Sequence, residues 1–207
     1  MRQWLRRIRA RLRHANSVKF TVKTIVINLY ITQSLILFIG MCIIFFQSQA
    51  VLEVLKIGET RDFIWSVVCC LLAMIMNVIL TPLVPESEQP NDDLVTRLAK
   101  GIPLWQLSGI CLVVGCCEEL LFRGALQYSL GPYWTSILFA LIHVRYLKHW
   151  VLTGMVFLIS YGLGLLYEYT GNLWSTIVAH ACYDFIMFIF IRYHIGGRHE
   201  SKRYENK

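Results

Sequence analysis

Long apolar runs separated by short polar stretches dominate the chain, and they predict a bundle of membrane-spanning helices. Most runs have the length that an α-helix needs to cross the hydrocarbon core, roughly 20 residues at about 1.5 Å per residue. The predicted spans cover about residues 24–46, 63–84, 104–128, 133–146, 151–167 and 173–191. The predicted fold class is therefore all-α: a polytopic transmembrane helix bundle of about six spans.

Helix breakers and polar stretches separate the spans. Gly131-Pro132 is a turn signal between the third and fourth spans, and Gly171 breaks the fifth. The most polar internal segment, residues 85–101, predicts a loop with one amphipathic turn. Three glycines of the fifth span are predicted to permit close helix contact: Gly154, Gly162 and Gly164.

Composition and charge agree with membrane insertion and predict its orientation. Of the 207 residues 56% are hydrophobic and 16% charged, whereas soluble domains carry roughly a quarter charged residues. The net charge of +7 is concentrated in a basic arm without acidic residues. Beside a span, such an arm favours the cytoplasmic side and anionic lipid rather than nucleic acid. We predict a multi-pass protein of a bacterial plasma membrane with both termini cytoplasmic, the lipid bilayer as partner, and no nucleic acid.

The seven cysteines all fall in apolar stretches, and none has CxxC spacing. We predict small buried thiols, which pack as hydrophobes, and no disulfide framework. A zinc site that uses Cys116, Cys117 or Cys182 beside a histidine is an alternative.

Two adjacent glutamates inside the third span are the strongest chemical signal. Charged groups at membrane depth are costly, so they are expected to have a partner or a function. Glu119 and Arg123 are four residues apart and share a helix face, which predicts a structural ion pair. Glu118 points about 100° away from Glu119 and is predicted to face a cavity. A buried carboxylate there suits a general base or a metal ligand.

Two other spans bring ionisable residues to the same depth. By the helical rise, Glu118, His143 and His180 lie roughly 12–18 Å below the same membrane face. His143 is predicted to be functional, although a satisfied core histidine is the alternative. His180 and Asp184 share one face and could form a mutual hydrogen bond, a metal-ligand pair or a clamp for an oxyanion. The pattern predicts one buried polar site.

These motifs resemble a known family pattern. Glu118-Glu119-Leu-Leu-Phe-Arg123 is similar to an EExxxR signature, Phe139-Ala-Leu-Ile-His143 to FxxxH, and His180-Ala-Cys-Tyr-Asp184 to HxxxN/D. In this order they resemble the CPBP family of CaaX proteases and bacteriocin-processing enzymes, which includes the Ras-converting prenyl-protein endopeptidase. The resemblance covers about residues 104–191. Asp184 stands where the eukaryotic enzymes have Asn, and bacterial members commonly accept Asp.

The resemblance implies an intramembrane endopeptidase that acts on a peptide or membrane-anchored protein. Carried over by position, Glu118 and His143 would activate the hydrolytic water, and His180 and Asp184 would stabilise the oxyanion or hold the site. The remaining motif residues would support the architecture: Glu119, Arg123 and Phe139.

No cofactor is certain from the sequence. One Glu, two His and one Asp could form a zinc site of ordinary ligand types. Because HExxH is absent, the sequence favours a water activated by glutamate, with zinc as the alternative.

The resulting organisation has four parts. They are a basic amphipathic arm (1–23), two spans with a polar loop (24–103), a catalytic core (104–191) and a basic cytoplasmic tail (192–207). A non-enzymatic role of the same fold, in bacteriocin immunity or as a membrane scaffold, is the main alternative to proteolysis. A small transporter or proton relay is a further one, since buried Glu and His suit both, but no inverted repeat is apparent.

Overall fold

The computed structural model describes residues 21–47, 51–84, 93–144 and 146–204. For residues 51, 52, 93 and 194–204 it describes the backbone only. The basic arm up to residue 20, residues 85–92 and the side chains of most of the tail lie outside this description. The helices are α1 (Val22–Phe46), α2 (Val51–Val54), α3 (Thr60–Leu80), α4 (Asp93–Gly101), α5 (Leu104–Glu119), α6 (Gln127–Ile142), α7 (Trp150–Thr170) and α8 (Leu173–Tyr204). A 3₁₀ turn, Thr81–Leu83, follows α3, and a π-helical segment, Leu120–Leu126, joins α5 to α6. The all-α prediction is confirmed.

Within the described ranges, four helical segments are long and apolar enough to cross a membrane. They are Val22–Phe46, Thr60–Leu83, Trp150–Thr170 and Leu173–Tyr193. Their outer faces expose large apolar side chains such as Phe38, Phe46 and Leu72, as expected of helices surrounded by lipid.

The third and fourth predicted spans form one continuous helical stretch with a kink at Gly131. Helix α5, the π-helical segment and the start of α6 run from residue 104 to 130, roughly 40 Å. At Gly131 the backbone takes φ 71° and ψ 171°, a conformation that glycine adopts readily, and Pro132 follows. Helix α6 ends at Ile142 rather than near Tyr146, because a series of turns begins at His143. In these turns the amide of Tyr146 donates to the carbonyl of His143.

Helix α1, the π-helical segment and α8 meet in a core beside the two glutamates. This core contains Ile44, Leu120, Ala125, Leu173 and Ile177. A second core joins α4 and α5 to α1 and α8. There Arg192 of α8 donates to the carbonyls of Ala99 and Ile102, at 3.1 and 2.8 Å, and so satisfies the C-terminal end of α4.

The sequence prediction fails at several local points. Gly164 lies against Pro132, where an added Cβ would come within 2.9 Å, but Gly154 and Gly162 have no such neighbour within 4 Å. Close helix contact was therefore predicted correctly only for Gly164. Helix α4 spans more than the single amphipathic turn expected. Gly171 ends α7, as predicted, and its backbone takes the left-handed conformation.

Gly40 permits the closest approach of α1 to the π-helical segment. A Cβ at Gly40 would lie 2.8 Å from Leu120 Cδ2 and 3.1 Å from Leu121 Cα. We expect Gly40→Ala to lower the free energy of unfolding by about 1–3 kcal/mol, since overpacking displaces the helices. Gly109→Ala is the matched control, because the space around Gly109 is open. Denaturation in detergent measures both, and equal stability of the two variants would contradict this packing.

Candidate active site

The two glutamates lie where the α-helical geometry of α5 ends. Glu118 and Glu119 are its last residues, and the wider π-helical turns begin at Leu120. Segments of π-helix are rare and occur frequently at functional sites. All of its residues from Leu120 to Ala125 are buried. The local fold therefore holds both carboxylates inside the protein rather than at a helix surface.

A cavity of about 410 Å³ brings the predicted residues together. Glu118, His143, His180 and Asp184 all line it, and they come from α5, the end of α6, and α8. The rest of its wall is mostly apolar and comes largely from α3, α7 and α8. The predicted common depth of these side chains therefore agrees with their meeting in one cavity.

Glu118 is held by an amide from the first span. The Gln33 side chain donates from Nε2 to Glu118 Oε1 over 3.0 Å. Glu118 is 8% exposed and Gln33 is 6% exposed. A carboxylate that keeps a single protein donor on one oxygen retains its other oxygen for a ligand in the cavity.

His143 is oriented by the turn that ends α6. Its Nδ1 lies 2.7 Å from the Phe139 carbonyl oxygen. A carbonyl only accepts, so Nδ1 carries the proton, and in the neutral ring Nε2 is the nitrogen that accepts. The Phe139 ring stacks edge-on with Phe122 and tilts against the His143 ring, which makes Phe139 a support on two sides.

The predicted Glu119–Arg123 ion pair is present and fully buried. Arg123 Nη1 lies 2.9 Å from Glu119 Oε1, and both side chains are 0% exposed. Arg123 Nη2 also donates to the Ser160 carbonyl at 2.7 Å and to its hydroxyl at 2.9 Å. The guanidinium carbon lies 5.1 Å from the centre of the Phe139 ring, within the range of a cation–π contact.

Glu119 also holds His180, a link that the sequence did not predict. His180 Nδ1 lies 2.7 Å from Glu119 Oε1, so this nitrogen donates to the carboxylate. His180 Nε2 lies 3.5 Å from Asp184 Oδ2, which shows the predicted proximity on one helix face. One buried carboxylate thus connects Arg123 to a histidine of the cavity wall.

These contacts involve the side chains that a metal ion in the cavity would need as ligands. Within the described part of the chain, no group of three or more His, Cys, Asp and Glu could hold a metal ion. Both cavity histidines already direct Nδ1 at protein oxygens. Histidines that bind a metal through Nε2 commonly donate from Nδ1 to such oxygens, so these bonds do not decide the question, and the zinc alternative stays a prediction.

The thiols differ in part from the prediction. All seven are free, but only Cys70, Cys111 and Cys117 are buried and Cys182 is exposed. The apolar sequence around Cys182 could not show that this thiol is exposed.

Sequence reasoning missed three polar residues around the site. Gln33 contacts Glu118, Ser160 binds Arg123, and Asn77 donates to the Tyr183 hydroxyl over 2.8 Å at the cavity wall. Gln33 and Asn77 are isolated polar residues within apolar spans, a signal that marks functional positions in membrane helices. Ser160 carries little signal, because small hydroxyl residues are common where membrane helices pack.

A helical membrane protein with a glutamate and two histidines around one largely apolar cavity has the parts of an intramembrane hydrolase. The model of the family described as type II CAAX prenyl endopeptidase Rce1-like matches residues 100–186. The chain is also 32% identical over 165 residues to the uncharacterized protein YpbD of Bacillus subtilis (strain 168), covering 78% of this chain and 87% of that protein. No solved structure matches it. The chain belongs to the Rce1-like family, whose membership implies CAAX-protease-type intramembrane endopeptidase activity in general.

Proposed function

We propose that the protein is an intramembrane endopeptidase in which Glu118 and His143 activate a water molecule. The observation that carries this proposal is their shared cavity, reached by a carboxylate from α5 and an imidazole from the end of α6. A glutamate and a histidine that face the same space are the side chains expected of general acid–base catalysis.

In the proposed reaction, Glu118 takes one proton from the water, and the oxygen of the water attacks the carbonyl carbon of the scissile bond. His143 Nε2 accepts a hydrogen bond from the water and orients it. The tetrahedral intermediate then breaks its C–N bond, and Glu118 returns the proton to the leaving nitrogen. The products are a new carboxyl terminus and a new amino terminus.

His180 and Asp184 are proposed to face the oxyanion side. His180 is fixed by its bond to Glu119, which leaves Nε2 beside Asp184 at the cavity wall. A protonated Nε2 there can donate to the negative oxygen of the intermediate, and a donor held in place before the reaction is effective. Asp184 only accepts when ionised, so its proposed role is to orient His180.

The proposed substrate is a peptide or membrane-anchored protein. The largely apolar wall suits a segment that arrives from the bilayer, and a local opening of its helix would expose the scissile peptide bond. The basic charge near the ends of the chain supports the placement of both termini on the cytoplasmic face of a bacterial plasma membrane.

His143→Ala tests the proposal. Wild-type protein in lipid vesicles, mixed with a fluorescence-quenched peptide library, is expected to cleave a subset of peptides. On the best peptide, His143→Ala is expected to lower kcat by roughly 10²- to 10⁴-fold, the usual size of a lost acid–base group. His149→Ala serves as the control, because His149 precedes α7 outside the cavity wall. Cleavage by His143→Ala at the wild-type rate would exclude the proposed mechanism.

The same experiment addresses the non-enzymatic alternative. Wild-type vesicles that bind a peptide without cleaving any member of the library would favour a scaffold or immunity role. Uptake of a peptide into the vesicle lumen that depends on Glu118 would favour a transporter.

A further inference from the structure

Gln33 lies far from the glutamates in sequence but touches the site. It belongs to α1, outside the residues 100–186 that the family model covers. Its Nε2 lies 3.0 Å from Glu118 Oε1, and the contact is buried. The buried residues of α1 are Gln33, Gly40 and Ile44, so the stripe that faces the bundle carries one polar side chain, and that side chain meets Glu118.

In the Gln33 amide the nitrogen donates a hydrogen bond, and the oxygen accepts none from the described residues. Because a carboxylate accepts, the amide nitrogen must face Glu118 when that group is ionised. The Gln33 carbonyl oxygen is buried and makes no hydrogen bond among the described residues.

The bond from Gln33 can persist through the proton cycle proposed for Glu118. When Oε2 takes the proton of the water, Oε1 becomes the carbonyl oxygen of the protonated group. A carbonyl oxygen accepts from Gln33 Nε2, as the ionised carboxylate does. Gln33 can therefore hold Glu118 in one orientation until Oε2 gives the proton to the leaving nitrogen.

We propose that Gln33 is a positioning residue for hydrolysis, a role that rests on the proposed function. It holds Glu118 through Oε1, so that Oε2 faces the water, takes its proton and later gives it to the leaving nitrogen. Gln33 thus acts through Glu118 and need not touch the substrate.

Gln33→Met tests this role, since methionine keeps most of the volume and removes both hydrogen-bonding groups. For folded protein on the best library peptide, we expect kcat to fall about 10- to 100-fold, the range of a lost bond to a charged group. The KM should change less than about twofold, because ground-state binding is untouched.

Gln127→Met is the matched control. Gln127 has the same exposure of 6%, and its buried carbonyl oxygen has no hydrogen-bond partner in the part of the chain that the structure describes, but it donates to the Gly164 carbonyl over 2.8 Å. Loss of this hydrogen bond in Gln127→Met is expected to lower the free energy of unfolding and to leave the kcat of the folded fraction unchanged. If Gln33→Met does not fold, Gln33→Asn replaces it, because asparagine keeps a polar amide but is one methylene shorter, so that its nitrogen falls short of Glu118 Oε1 and kcat should fall in the same way.

A kinetic cycle with Glu118→Gln separates positioning from a structural role. If Gln33 acts through Glu118, Gln33→Met lowers kcat in the wild-type background and leaves the residual rate of Glu118→Gln unchanged. An equal fall in both backgrounds, or an unchanged kcat in the single variant, would overturn the inference and leave the endopeptidase proposal standing. Wild-type protein without any cleavage would overturn both.

Discussion

Replacing Glu118 by glutamine is expected to stop peptide-bond cleavage and to leave the helix bundle folded. Glutamine has the shape of glutamate, and its amide can still bond to Gln33, so the packing around α5 is retained. It cannot take a proton from water, however, and we expect kcat to fall by roughly 10³-fold or more. The measurement is cleavage of the best library peptide by purified protein, with the unfolding midpoint recorded alongside.

Glu168→Gln is the control for this change. Glu168 is exposed near the end of α7, so the same chemical substitution there should leave kcat within experimental scatter. A Glu118→Gln protein that cleaves as fast as Glu168→Gln would remove the glutamate from the mechanism.

Loss of Arg123 is expected to have the largest effect on stability. In Arg123→Leu the Glu119 carboxylate, which is 0% exposed in the wild type, loses its guanidinium partner and keeps the bond from His180, and the Ser160 acceptors lose their donor. Removing one partner of a buried ion pair typically costs about 3–5 kcal/mol. We expect a corresponding fall in the free energy of unfolding in detergent, or loss of folded protein from the membrane.

Arg61→Leu is the control for this prediction. Arg61 pairs with Glu59 over 3.8 Å at the surface, where the side chains are 70% and 78% exposed. Exposed pairs contribute about 0–1 kcal/mol, so the variant should be nearly as stable as the wild type. Similar stability losses for Arg61→Leu and Arg123→Leu would show that burial does not strengthen the internal pair.

Structural features that depend on the spacing of residues within one helix were predictable from the sequence. The separation of four residues between Glu119 and Arg123 predicts their ion pair, and Gly131-Pro132 predicts the break between two helices. Counting residues from the turns was enough to expect Glu118, His143 and His180 in one place. Each of these inferences uses helix geometry within a single segment, which the chain encodes directly.

Contacts between distant segments were not predictable in this way. Gln33 and Glu118 are 85 residues apart, and no spacing rule says which face of α1 meets α5. The bond between His180 and Glu119 also depends on helix packing, which a single sequence does not reveal. Likewise, hydrogen bonds in the turn after Ile142, rather than hydrophobicity, decide where α6 ends.

The most direct test of the central claim is a comparison of new protein termini in membranes that contain wild-type protein or Glu118→Gln. Mass spectrometry of labelled amino termini is expected to find cleavage products within or beside an apolar segment of at least one membrane protein, present with the wild type and absent with the variant. The same termini in equal amounts with both proteins would contradict an endopeptidase that works through Glu118.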